Sequence, residues 1–171
     1  MPESSEAPAA DLLALDRQVC FALAVASRSV IALYRPLLDP MGLTHPQYLV
    51  MLALWEESPL SVKQLSGLLQ LDPGTLSPLL KRLESGGLVT RQRDPRDERA
   101  LAVTLTEAGR DLRAKAEKIP PAIIDRLGMT IPELEALHKS LTRVIAAATH
   151  PDTAEAATPP AVGMHSYRGL Q

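Results

Sequence analysis

The sequence predicts a mainly α-helical fold with one small β-hairpin, in the order of a winged helix-turn-helix. Three observations carry that expectation. Apolar residues recur at three- and four-residue spacings through most of the chain, the period drops to two on either side of a charged turn, and N-capping residues stand at the helix starts.

The first helix is expected from about Asp11 to Tyr34. Leu12, Leu15, Val19, Leu23, Ala26, Val30 and Leu33 form one apolar stripe, and Cys20, Ser27, Ile31 and Tyr34 share a neighbouring face. Pro36 ends or kinks it. A second helix starts at Thr44, an N-cap, with Pro46 in its first turn, and runs through Tyr48, Leu49, Leu52 and Trp55 until Pro59. A third opens on the capping box Ser61-Val62-Lys63-Gln64 and carries Leu65, Leu68 and Leu69. The fourth begins at the N-cap Asp72 with Pro73 as first helical residue. It buries Leu76, Leu79, Leu80 and Leu83, turns Thr75, Pro78, Lys81, Arg82 and Ser85 outward, and stops at Gly86-Gly87. Pro78 leaves two readings open: a kinked helix, or one that begins at Ser77.

Leu88–Arg93 and Ala100–Leu105 read as two strands, the second alternating at Leu101, Val103 and Leu105, with the charged tip Asp94–Arg99 between them. Thr106 caps a further helix toward Pro120-Pro121, residues 122–128 continue helically, and the capping box Thr130–Glu133 opens a last helix to about Ala148. Residues 1–10 and 151–171 have the composition of disordered tails.

A chain of 171 residues suits one domain, and its 46% hydrophobic and 22% charged content is that of a globular protein. No run of about 18 apolar residues is evident, so no membrane partner is expected. The acidic, proline-bearing N-terminus lacks the pattern of a signal peptide, and one cysteine argues against a disulfide-stapled secreted fold, so the expected location is cytoplasmic. The net charge of −2 conceals a segregation. Lys81 to Arg99 holds six bases and four acids, leaving 12 of the 18 bases and 16 of the 20 acids elsewhere.

Two short helices, a tight link, another helix and a charged hairpin together imply double-stranded DNA as partner. The fourth helix would enter the major groove by its N-terminal half, where Thr75, Ser77, Lys81 and Arg82 meet base edges or phosphates. Small residues there, Gly74 among them, admit the backbone, and the helix N-terminus itself favours phosphate. Arg96 at the hairpin tip would reach a minor groove. The DNA-binding residues expected are Ser61, Thr75, Ser77, Pro78, Lys81, Arg82, Arg91, Arg93, Arg96 and Arg99.

The run Asp72–Val89 (DPGTLSPLLKRLESGGLV), followed by Arg91–Leu105 (RQRDPRDERALAVTL) and Thr106–Gly109, resembles the MarR family of winged-helix regulators over about residues 12–148. Gln18–Leu23 (QVCFAL) and Leu43–Met51 (LTHPQYLVM) resemble its organic-hydroperoxide-sensing, OhrR-like, one-cysteine branch. The resemblance implies a MarR-type domain over 11–150, with a winged helix at about 44–106 and dimerisation helices at about 11–35 and 107–148. It implies a homodimeric repressor, not an enzyme, acting on a peroxide-resistance gene through a pseudo-palindromic operator whose half-sites lie about one helical turn apart. Cys20 would be the redox sensor. The tyrosine matching Tyr34 would come from the other subunit. Two positions depart from the branch: Ala24 and His45 stand where it often has tyrosine.

Only a thiolate attacks a peroxide quickly, so the site of a sensing cysteine must favour the anion. Four of the five aromatic residues, Phe21, Tyr34, Tyr48 and Trp55, fall within 35 positions of Cys20. The expected sensor pocket is Tyr34, His45, Tyr48 and Phe21. Tyrosine hydroxyls can donate to sulfur, and a protonated His45 would stabilise the thiolate. Phe21 and Trp55 also suit plain core packing. Cys20 and Tyr34 lie fourteen residues apart on one helix, roughly 21 Å at about 1.5 Å per residue, so they cannot touch within one subunit unless the helix breaks, whereas in an antiparallel dimer they can meet across the interface. A lone cysteine has no internal resolving partner, so oxidised Cys20 must take a low-molecular-weight thiol or proceed to higher acids. The chief alternative is a MarR-type repressor released by a non-covalent apolar or phenolic ligand. A thiol peroxidase would need a thioredoxin-like strand pattern that is absent from the sequence. No cofactor is expected, and His45, His138, His150 and His165 lack metal-ligand spacing.

Overall fold

The structure is a computed structural model that describes residues 13–94 and 97–149. The expected tails therefore lie outside the described residues. The chain divides into two compact units, Met1–Ile119 and Pro120–Gln171.

In the first unit a 3-10 turn (Leu15–Arg17) precedes α1 (Val19–Leu38). Helix α1 starts later and ends later than the periodicity suggests. Pro36 lies inside it, because proline's missing N–H and ring disturb only the turn before it, and only two residues follow. The apolar stripe is open: Leu38 alone is buried on α1, and Val19 is 67% exposed. Val19–Met41 is long and apolar enough on average, by length and composition alone, to cross a bilayer. Ser27, Arg28 and Ser29 interrupt it, so it holds no unbroken run of about 18 apolar residues, as expected from the sequence.

A 3-10 turn (Asp39–Met41) and Gly42, at φ 68°, reverse the chain into α2 (His45–Glu56). Gln47 Oε1 accepts from Thr44 N–H at 2.8 Å, closing the start of α2. Next come β1 (Leu60–Ser61), α3 (Val62–Leu69) and α4 (Pro73–Ser85). The α4 helix runs unbroken from Pro73 through Pro78, which decides between the two readings of that proline. Strands β2 (Val89–Asp94) and β3 (Asp97–Leu105) complete an antiparallel sheet of order β1-β3-β2, with Leu60 opposite Val103 and Arg91 opposite Val103 on its other side. β1 is too short to show a period in sequence.

The core of this unit is Val50, Met51, Leu54, Leu60, Leu65, Leu76, Leu80, Leu83, Val89 and Val103, each at 1% exposure or less. The expected alternation on the second strand fails at its start: Leu101 is 45% exposed while Ala102 and Val103 are both buried. β3 is the middle strand, paired on both edges at Ala102 and Val103, so cover follows the neighbouring strands more than the period.

The chain leaves the sheet through Thr106, whose Oγ1 accepts from Gly109 N–H at 3.0 Å and donates to Gly87 O at 2.6 Å. The single long helix expected after Thr106 is broken into α5 (Glu107–Asp111), α6 (Arg113–Ala116) and α7 (Ile119–Leu127). Trp55 Nε1–H donates to Gly109 O at 2.8 Å, fastening the end of α2 to α5. In the second unit, Thr130 N–H donates to Glu133 Oε2 at 2.8 Å and starts α8 (Ile131–Thr149). No described residue of α8 is buried, and Leu137, Val144 and Ile145 stand 44–45% exposed.

Candidate functional site

Two surfaces carry the candidate residues. The first is the outer face of α4. Thr75, Ser77, Pro78, Lys81 and Arg82 are all exposed there, while Leu76, Leu79, Leu80 and Leu83 face the core. The 3.6-residue period separates the two sets, so the helix is held by its apolar side and offers its polar side to solvent. Its first turn is closed by Asp72: Thr75 N–H donates to Asp72 Oδ1 at 2.9 Å, and Thr75 Oγ1 donates to Oδ2 at 2.6 Å. These bonds hold the Asp72 carboxyl below the usual carboxylate range. A Cβ on Gly74 would approach Asp72 Oδ1 to 2.9 Å, so this glycine leaves room for the cap. The leading end of α4 already holds an anion, which differs from the expectation that it seats a phosphate.

The other expected DNA residues are placed differently. Ser61 is half-buried and caps α3, its oxygen accepting from Gln64 N–H at 3.1 Å. Arg91 is half-buried and engaged: its Nε donates to Glu84 Oε2 at 2.9 Å, its Nη2 joins the same oxygen, and its backbone N–H reaches Oε1 at 3.2 Å. This pairing ties β2 to the end of α4 and holds the Glu84 carboxyl below its ordinary range, chiefly through the Arg91 hydrogen bond. Arg93 is exposed. Arg96, and the side chain of Arg99, lie outside the described residues.

The second surface is the aromatic cluster under the end of α1. Tyr34 meets His45 edge-on at 4.9 Å between ring centroids, and Tyr48 at 5.9 Å. Tyr48 is buried and meets Trp55 edge-on at 6.4 Å. The sequence signal for this row was only the spacing of aromatics on two helices. Cys20 and Phe21 are not part of it. Both stand exposed in the first turn of α1, Cys20 about 21 Å along an unbroken helix from Tyr34 at about 1.5 Å per residue. Within one protomer, then, the expected pocket is three of its four members, and the sulfur is at the far end.

Burial holds the His45 imidazole below its ordinary value of 6.5, so the ring is neutral at neutral pH. A neutral ring still offers one N–H, but not the positive charge anticipated from sequence. The sign of the linkage is definite. The folded chain binds this proton less readily than the unfolded chain, so the His45 contribution is complete above about pH 6.5 and is lost on acidification below it. Between pH 7 and pH 5 a His45→Gln protein should therefore lose less unfolding free energy than the parent in urea titrations. Equal losses would contradict this placement of His45.

A cleft of about 330 Å³ opens beside Trp55, lined by Leu54, Trp55, Ser58, Leu105, Arg110 and Arg113. Among the described residues no three or more His, Cys, Asp or Glu gather to hold a metal ion.

Comparison with known proteins places this geometry in context. The MarR family model matches residues 43–101. The chain is 48% identical over 131 residues to the HTH-type transcriptional regulator TtmR of Methylorubrum extorquens, covering 77% of this chain and 67% of that protein. It is 44% identical over 131 residues to the organic hydroperoxide resistance transcriptional regulator of Bacillus subtilis, covering 77% and 89%. Among solved structures it resembles reduced AbfR bound to DNA, with a TM-score of 0.65 and 34% identity over 79% of this chain and 94% of that one. AbfR, a Staphylococcus epidermidis protein, has also been solved in a disulfide-formed state, with a TM-score of 0.56 and 37% identity over 77% and 92%.

Proposed function

This chain belongs to the MarR family of transcriptional regulators, and from that premise we propose that it is a cytoplasmic, homodimeric repressor that releases operator DNA when an organic hydroperoxide oxidises Cys20. The observation that carries the reading is the exposure of the sole thiol on α1, in a chain 44% identical to a regulator of organic hydroperoxide resistance. The open apolar face of α1 supports a second copy as its cover. Only such a copy could bring a Tyr34 and His45 to the sulfur, because α1 does not bend back on itself.

The chemistry balances without a cofactor. The Cys20 thiolate attacks the terminal peroxide oxygen. The O–O bond breaks, an S–O bond forms, and the alcohol leaves, so sulfur is oxidised by two electrons and the peroxide reduced. The resulting sulfenic acid condenses with a low-molecular-weight thiol, forming a mixed disulfide and water. The direct test treats the protein with tert-butyl hydroperoxide and a small thiol. Intact mass and DNA retention are then followed on one sample: adduct formation on Cys20 should parallel release, and adduct without release would overturn the reading.

DNA contact by α4 has its own signature. Lys81→Ala or Arg82→Ala should each flatten the slope of log affinity against log salt by about 2, since each removes one phosphate contact from each protomer of the dimer. Arg91→Ala should leave that slope unchanged, because its guanidinium pairs with Glu84. Fluorescence anisotropy across a salt series distinguishes the two outcomes.

A second reading rests on the cleft beside Trp55, whose apolar floor and two arginines suit an apolar ligand bound without covalent change. Release by such a ligand, with Cys20 unmodified by mass, would favour it.

A further inference from the structure

We propose that Glu84 and Arg91 form a positioning clamp that fixes the β2–β3 hairpin at one angle to α4, so that both elements meet the duplex already oriented, while neither residue touches DNA. This rests on the DNA-binding reading above and goes beyond it by assigning part of the affinity to a contact inside the protein.

The link from α4 to β2 is Gly86-Gly87-Leu88, and its first two residues bring no side chain to brace the hairpin. Val89 is buried at the base of β2, whereas Gln92 and Arg93, beyond Arg91, are exposed. Arg91 is thus where the cover of the strand ends. In the order β1-β3-β2, β2 lies at the sheet edge, so the groups on its outer side have no strand to pair with. The Arg91 backbone N–H turns instead to Glu84 Oε1 at 3.2 Å, and its Nε donates to Oε2 at 2.9 Å. One carboxylate therefore grips the backbone and the side chain of a single edge residue. Glu84 is itself fixed, because its carbonyl accepts from Gly87 N–H at 2.9 Å where α4 ends. From Arg91 to Asp94, the last residue of β2, is about 10 Å at about 3.3 Å per residue. A swing of about 20° at Arg91 would carry that end about 3–4 Å, which breaks any hydrogen bond it makes. Arg93, two residues beyond Arg91 on the same face of β2, is the exposed cation that the clamp aims. The paired side chains are 26% and 37% exposed, and ion pairs open to water add little to stability. The value of this pair lies in orientation: a hairpin held before binding loses less freedom when DNA is bound. No phosphate contact disappears with the pair, so its effect is the same at every salt concentration.

The test begins with a duplex that the wild-type protein selects from a randomised pool. Glu84→Ala and Arg91→Ala should each bind that duplex about tenfold more weakly, by the same factor at every salt concentration. The melting midpoint followed by Trp55 fluorescence should move by no more than about 3 °C. The double variant should be no weaker than either single one, because both changes remove the same clamp. Glu84→Gln keeps an oxygen for the Arg91 N–H groups and should recover most of the affinity. Wild-type affinity in Glu84→Ala, or losses that add in the double variant, would overturn the inference. So would a loss in Arg91→Ala that shrinks as salt rises, which would make Arg91 a phosphate contact. A midpoint lowered further, in step with the affinity, would reduce the pair to a structural tie and overturn it as well. If Glu84→Ala does not fold, wild-type affinity in Arg91→Ala overturns the inference by itself. Wild-type protein that selects no duplex would instead remove the DNA-binding reading beneath it.

Discussion

Cys20→Ser protein should hold operator DNA with the same affinity before and after organic hydroperoxide, so the ratio of oxidised to reduced dissociation constants falls to one. The substitution exchanges sulfur for oxygen at an exposed position and asks nothing of the core. A serine hydroxyl is not ionised near neutral pH and does not attack a peroxide, so the first step of the proposed chemistry is lost outright while the α4 surface is untouched. The size of the effect follows from the chain having one cysteine: no second thiol can substitute. The consequence for the dimer is equally direct. α1 is continuous from Val19 to Leu38, so any tyrosine or histidine that touches Cys20 from the cluster at its far end belongs to another copy. Gel-shift titration of a selected duplex, with and without tert-butyl hydroperoxide, gives the ratio. Release of the serine variant at wild-type peroxide concentrations would end the thiol mechanism.

The second large effect is on folding. Gly109→Ala should destabilise the first unit by about 3 kcal/mol or more, as overpacking against backbone does. A Cβ at Gly109 would lie 2.1 Å from Leu88 O, 3.1 Å from Leu88 C and 3.3 Å from Leu105 Cδ2. The two Leu88 atoms are backbone and cannot move cheaply. Leu88 O accepts from Thr106 N–H at 3.0 Å, Gly109 N–H donates to Thr106 Oγ1 at 3.0 Å, and Gly109 O receives the Trp55 indole N–H at 2.8 Å. The glycine is thus fixed on both sides at the junction of α2, β2 and α5. Trp55, the sole tryptophan, is the natural fluorescent probe of the melt, and a midpoint roughly 6–12 °C lower is expected from roughly 2–4 °C per kcal/mol in a chain of this size. Gly67→Ala is the control: nothing stands within 4 Å of its Cβ, so alanine there should be neutral or stabilising by up to about 1 kcal/mol. Equal melting of Gly109→Ala and the parent would contradict this junction.

The front of α2 and the face of α4 show how legible the candidate surfaces were. Tyr34, His45 and Tyr48 could be grouped from sequence because they lie on helices joined by a short turn, and Lys81 and Arg82 because a 3.6-residue period leaves them opposite four leucines. Arg91 was misleading for the same reason: its charge is visible in sequence, but the seven-residue reach back to Glu84 across a turn is not. The neutrality of His45 likewise depends on burial, which no local pattern encodes.

What the sequence determined alone was local. Asp72, Ser61, Thr106 and Thr130 each start a helix where a capping residue and its partner stand three positions apart, because one helical turn joins those positions in any fold. What only the tertiary structure decided were contacts between distant segments. These include β1 pairing with β3, the exposure of Leu101, and the Trp55 bond to Gly109 across 54 residues. Such contacts are set by how packed helices and strands fill space together. Their partners are chosen by the path of the whole chain, and spacing along it carries no mark of them.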